Sequence, residues 1–269
     1  MAIVERPTAW LAERRSGAVP STTALPSFGV IVALARAEGP RMLRHPSYLL
    51  ILPIGFLLLG VRSIDDVSLE DLFAPLILLV VVGMFVGTLI TANLAAVRSR
   101  RDGTDELFGS TPSPAVARAA GHLLGVAFGP GVVALVLTLA TLLFRLAAPD
   151  SPLMEDVEPQ AFPQFPLATL AIGTLGIAVG RWWQSVFGGV FLLAAHIFTG
   201  VIWAVPWVVW DPDGSVHLWH LLYLVAFMVG FGAVALLRNR RGPALVTAAV
   251  LGVGVAVVAA VEQVPPGGY

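Results

Sequence analysis

The chain has 269 residues, of which 57% are hydrophobic and 12% charged, with a formal net charge of −1. Soluble domains carry about 45–50% apolar and about 25% charged residues, so this composition excludes a soluble globular fold and points to an integral membrane protein. All sixteen basic residues are Arg, which removes the lysine that a Walker A loop needs to reach nucleotide phosphates. The absence of Cys removes disulfides, thiolate nucleophiles and thiolate metal ligands.

Taken in order, residues 1–27 read as a flexible cytoplasmic arm: Arg6, Arg14 and Arg15 lie among small and polar residues, with no apolar core of the kind a secretory signal requires. Residues 28–262 read as a single transmembrane domain and 263–269 as a short tail. Within Phe28–His45, Ile31, Leu34 and Ala35 recur at helical spacing while Arg36, Glu38, Arg41 and Arg44 supply charge. This pattern suits an amphipathic helix at the inner membrane surface.

Seven apolar segments follow: Ser47–Val61, Leu72–Val97, Ala115–Phe144, Leu167–Gly180, Ser185–Val209, Leu218–Leu237 and Ala244–Val261. At about 1.5 Å per residue most can cross a hydrocarbon layer of about 30 Å. Ser47–Val61 and Leu167–Gly180 reach only about 21–23 Å, and Met42–Pro46 and Ala161–Pro166 are their expected extensions. The fold class is therefore all-α: a polytopic membrane protein with six to seven transmembrane helices preceded by an amphipathic interfacial helix.

Arginine placement sets the orientation, because basic residues are retained on the cytoplasmic side. With the N-terminus inside, fourteen of sixteen Arg fall on one side: six before residue 47, four in 98–118, Arg181, and Arg238, Arg240 and Arg241. Arg62 and Arg145 are left for the outer side, which collects Asp65, Asp66, Glu70, Asp71, Asp150, Glu155, Asp156, Glu158, Asp211, Asp213 and Glu262. Seven spans place the C-terminus outside. Trp182 and Trp183 would mark the inner boundary, and Trp203, Trp207, Trp210, Trp219 and Tyr223 the outer one.

The connection from Arg98 to Pro114 holds a short polar helix at Thr104–Phe108, bounded by Gly103 and Gly109. Leu107 and Phe108 give it an apolar end while Asp105 and Glu106 present charge, so it is either a docking element for a cytoplasmic partner or a solvated connection. Gly83 and Gly87, Gly125 and Gly129, and Gly176 and Gly180 have the spacing that lets membrane helices approach closely. His196 lies inside the fifth segment with Thr199 on the same face; it either lines a substrate path or is satisfied by a neighbouring helix. Arg145 can snorkel outward, Asn93 sits near the inner end of the second span, and neither marks a catalytic site. His217 and His220 near Asp211 and Asp213 form only a weak metal pattern. Hydrolase motifs such as Gly-x-Ser-x-Gly and His-Glu-x-x-His are missing.

The loop resembles that of the membrane (permease) subunits of type-2 ATP-binding-cassette exporters, which reads as basic residues, Gly-Thr, Glu-Leu, then proline. Arg98, Arg101, Gly103, Thr104, Glu106, Leu107 and Pro112 fit it. Glu38, Arg41 and Arg44-His-Pro are similar to that family's elbow helix, and Gly176–Trp182 to its fourth-to-fifth-span junction. The resemblance implies a homo- or heterodimer of permease subunits in the cell membrane, joined to ATPase subunits on separate chains and coupled to them through Gly103–Pro112. It implies no enzymatic activity, no cofactor and no nucleic-acid partner for this chain. It also implies a re-entrant hairpin at Trp203–His220. The family commonly has six spans, so Ala244–Val261 is a departure. Two readings from other classes stand beside this one: an ion-coupled secondary transporter, which would usually carry carboxylates near the midplane, and a non-transporting membrane scaffold or sensor subunit.

Overall fold

The computed structural model describes residues 27–49, 69–101, 115–148, 162–183, 185–192 and 218–262. Six main helices run through them: α1 (Phe28–Leu43), α2 (Leu69–Arg101), α3 (Ala115–Ala147), α4 (Gln164–Trp183), α5 (Leu218–Leu237) and α6 (Pro243–Glu262). Among the described residues all regular structure is helical, and five helices are long and apolar enough to cross a membrane: α3 to α6 and the Val80–Arg98 part of α2. These match the second, third, fourth, sixth and seventh apolar segments. The first lies almost entirely outside the described residues, and of the fifth only 185–192 is described.

Helix α1 starts at Ser27, whose hydroxyl accepts from the Val30 N–H at 3.4 Å, satisfying one of the donors that a helix start leaves open. After α1 the chain turns through Arg44 and His45 into a 3₁₀ turn at Pro46–Tyr48, where His45 Nδ1 accepts from the Ser47 N–H at 3.2 Å. Met42–Pro46 is therefore not one continuous helical stretch, and the rest of the first segment lies outside the described residues. Met42 belongs to α1, and its side chain is buried among Ala92, Ala95 and Ala96 of α2. At the fourth segment the extension does form: α4 begins at Gln164 and reaches 20 residues, about 30 Å.

Helix α3 contains 33 residues, about 50 Å of helix, and is interrupted by a π turn at Ala127–Gly131 that contains Pro130. Proline has no N–H to donate to the preceding turn, so the local ladder is re-spaced there rather than broken. Helix α4 occupies the centre. Ala168, Ala171, Ile172 and Leu175 pack with Phe85 and Leu89 of α2, Tyr223, Leu224 and Ala226 of α5, and Ala256 and Ala259 of α6. Nearer its C-terminal end, Ile177 and Ala178 join Met42, Ala92, Val126 and Ala235.

Small residues make this packing possible. A methyl placed on Gly176 would lie 2.6 Å from the Leu89 carbonyl oxygen, and one on Gly180 2.7 Å from that of Asn93. In an apolar solvent helix association depends on such close approach. Helix α6 sits at the edge, joined to α5 where Gly230 and Gly252 meet backbone to backbone. Its Val250, Leu251, Val257, Val258 and Val261 remain exposed, as expected of a surface bathed in lipid.

Candidate coupling interface

The sequence places three charges on α1 without saying what they face. The structure gives Glu38 a partner sixty residues away. Its carboxylate accepts from Arg98 Nη1 at 2.9 Å through Oε2 and 3.2 Å through Oε1, and from Arg41 Nη1 at 3.0 Å. The Glu38 side chain is 11% exposed, Arg98 37% and Arg41 62%. A carboxylate withdrawn this far from water requires a compensating cation, and Arg98 supplies it from the last turn of α2, where the Arg98–Pro114 connection begins. Arg44 is exposed and continues the basic edge of α1.

The same helix grips the other end of that connection. Gly121, Gly125 and Gly129 stand at four-residue intervals on α3 and form one stripe. A methyl on Gly121 would lie 2.7 Å from Leu34 Cβ, one on Gly125 3.2 Å from Glu38 Cβ, and one on Gly129 would collide with the Gly39 carbonyl. The spacing of Gly125 and Gly129 predicts close approach, and α1 is what approaches. The apolar stripe of α1 thus packs against protein: Ala35, Gly39 and Met42 are buried, while Ala33, Arg36, Ala37 and Pro40 face outward. His122 lies on α3 within electrostatic reach of Glu38, Arg181, Arg98 and Arg118. Its Nδ1 is closed off from solvent and has no hydrogen-bond partner among the described residues.

Two further contacts tie α2, α4 and α5 together at this end. Asn93 is fully buried. In the amide orientation that satisfies both of its ends, its oxygen accepts from the Gly180 N–H at 3.1 Å, and its nitrogen donates to the carbonyls of Ser185 at 3.1 Å and Val186 at 3.3 Å. One side chain from α2 therefore holds both sides of the break after α4. Trp182 Nε1 donates to the Val234 carbonyl at 2.8 Å, and the Arg238 guanidinium lies 5.7 Å from the Trp182 ring centre. Across the first turn after α1, Tyr48 lies over Gly87 and its hydroxyl is 3.2 Å from Thr88 Oγ1. Arg41, Arg98, Arg181 and Arg238 accordingly gather at one end of the bundle.

Of the residues singled out from the sequence, Glu38, Arg41 and Arg98 come together, and Arg101 ends α2. Gly103, Thr104, Glu106, Leu107, Phe108 and Pro112, as well as His196, Thr199 and His217, lie outside the described residues. His220 is buried in α5, stacked with its ring 5.9 Å from that of Tyr223. Sequence reasoning gave Asn93 no role and did not single out His122 or Pro130. A polar amide within an apolar run, about two turns from the end of α2, is the signal that could have found Asn93. Among the described residues no three of His, Asp and Glu gather as metal ligands would. The chain matches no family model, no curated protein and no solved structure.

Proposed function

We propose that this chain is the transmembrane subunit of an ATP-binding-cassette exporter, in which a separate ATPase subunit docks on the 98–114 connection and drives alternating access. In this reading the N-terminus is cytoplasmic, α1 is the elbow helix at the inner surface of the cell membrane, and seven spans cross it. Two copies, or one copy and a related chain, form the pathway, with His196 and Thr199 facing the substrate. The chain itself performs no covalent chemistry.

One observation carries the proposal: both ends of the candidate docking loop are mounted on the same helix. Arg98, where the loop leaves α2, is paired to Glu38, and the first turns of α3, where the loop returns, lie against Leu34 and Glu38 through Gly121 and Gly125. A displacement of the loop by a partner is then passed to α1, α2 and α3 as a unit, which suits a coupling element better than a solvated connection. Leu107 and Phe108 are the apolar anchors of such docking, while Glu106 and Arg101 fix its orientation.

The test is co-expression with the candidate ATPase. Leu107→Ala combined with Phe108→Ala should lose co-purification with normal membrane insertion, while the outer-loop change Glu158→Gln should retain it. Retention of the ATPase by the double variant would refute this docking mode, and a chain that carries no ATP-dependent transport with any ATPase would favour the scaffold or sensor reading.

A further inference from the structure

Among the described residues the charges at the arginine-rich end do not balance. Glu38 is engaged by Arg41 and Arg98, and Arg238 lies over Trp182. Arg240 and Arg241, in the turn between α5 and α6, are exposed and have no carboxylate partner among the described residues. They stand just before α6, which begins at Pro243. Along α6, Val246, Val250, Val253, Val257 and Val261 recur at intervals of three and four and are all exposed, so they form one apolar stripe leading away from the two guanidiniums.

We propose that Arg240 and Arg241, with this valine stripe, form a site for an anionic phospholipid. The guanidiniums hold the headgroup phosphate, whose negative charge no cation of the lipid itself offsets, and the stripe holds an acyl chain. Three physical points favour a lipid over other occupants. The guanidinium presents paired donors that match phosphate oxygens. The adjoining surface is apolar over most of the length of a membrane-crossing helix, which a soluble anion would leave uncovered. The positive charge is uncompensated from within the described chain, so a zwitterionic headgroup, which brings its own cation, would gain less than an anionic one. The inference depends on the membrane character of the chain and not on the exporter assignment.

The experiment uses the full-length protein in nanodiscs of phosphatidylcholine with increasing phosphatidylglycerol, reading co-purified lipid by native mass spectrometry. Phosphatidylglycerol should be retained in excess over its bulk fraction. Arg240→Gln and Arg241→Gln should each lower that excess, by up to about fivefold for each charge removed near a membrane surface. Arg145→Gln, at the far end of α3, should leave it unchanged. A photoreactive residue at Val250 should capture lipid, enriched in phosphatidylglycerol, and lose that enrichment in the double arginine variant. Equal retention of both lipids, or an excess that survives the double variant, would overturn the proposal. Displacement of phosphatidylglycerol by millimolar glycerol phosphate would also overturn it, since the site would then take a free phosphate.

Discussion

A single methyl group placed along the α1–α3 seam should produce graded and predictable losses. At Gly129 the added carbon would lie 2.8 Å from the Gly39 carbonyl carbon and 2.9 Å from its Cα, against an ordinary contact of 3.4 Å or more. Both sides are backbone, so no rotamer change relieves the overlap and the helices must separate by about 0.5–1 Å. A gap of about 0.5–1 Å forfeits a quarter to a half of each dispersion contact across it, and overpacking of this kind costs about 1–3 kcal/mol. Replacing Gly by Ala within a helix recovers about 1 kcal/mol, so Gly129→Ala should be destabilising by a net ~0–2 kcal/mol. Gly254→Ala in α6, where a methyl meets nothing within 4 Å, should be neutral or stabilising by up to about 1 kcal/mol. Gly125→Ala, with Glu38 Cβ at 3.2 Å, should fall between them. Thermal unfolding of the three variants in one detergent, followed by tryptophan fluorescence, gives the order directly. Gly129→Ala at least as stable as Gly254→Ala would refute the close approach of α1 and α3.

Removing the carboxylate in Glu38→Ala leaves Arg98 partly buried without its partner. Because Arg98 retains water contact the loss should be about 1–3 kcal/mol, below the value for a fully buried pair, and a double-mutant cycle with Arg98→Met should show positive coupling; strict additivity would deny the pair. Asn93→Ala removes the buried amide that joins Gly180 of α4 to Ser185 and Val186, and should cost about 1–3 kcal/mol while loosening 185–187 toward limited proteolysis; wild-type stability would count against the clamp. For orientation, single cysteines introduced at Arg241 and Glu158 should be labelled from the cytoplasmic and the outer side respectively, and labelling of position 158 from the cytoplasm would reverse the topology.

Hydrophobic runs located the five described spans well, because a stretch of 20 apolar residues has few alternatives in a membrane. Leu72–Val97 and Ala244–Val261 appear within Leu69–Arg101 and Pro243–Glu262. What those helices touch was less legible. The spacing of Gly125 and Gly129 marks a face, but nothing local says that Gly39 of α1 will fill it, or that Gly121 extends it by another turn. Charges behaved likewise. Glu38 reads as one of several polar residues on an amphipathic stretch, whereas its partner Arg98 is sixty positions away, and only the folded chain brings them together. Asn93 was passed over because an amide carries no reactive chemistry; its importance comes from joining Gly180 of α4 to Ser185 and Val186 beyond it, which only the folded chain brings together.

In the proposed function a partner's ATP cycle enters this bundle through the 98–114 connection. Since the chain has no cysteine, spin labels attached at Arg101→Cys and Ala115→Cys report the separation of the two ends of that connection in the assembled complex. With a hydrolysis-deficient ATPase, addition of ATP should shift this distance distribution reversibly. An assembled complex in which ATP binds and the distribution stays unchanged would contradict the account.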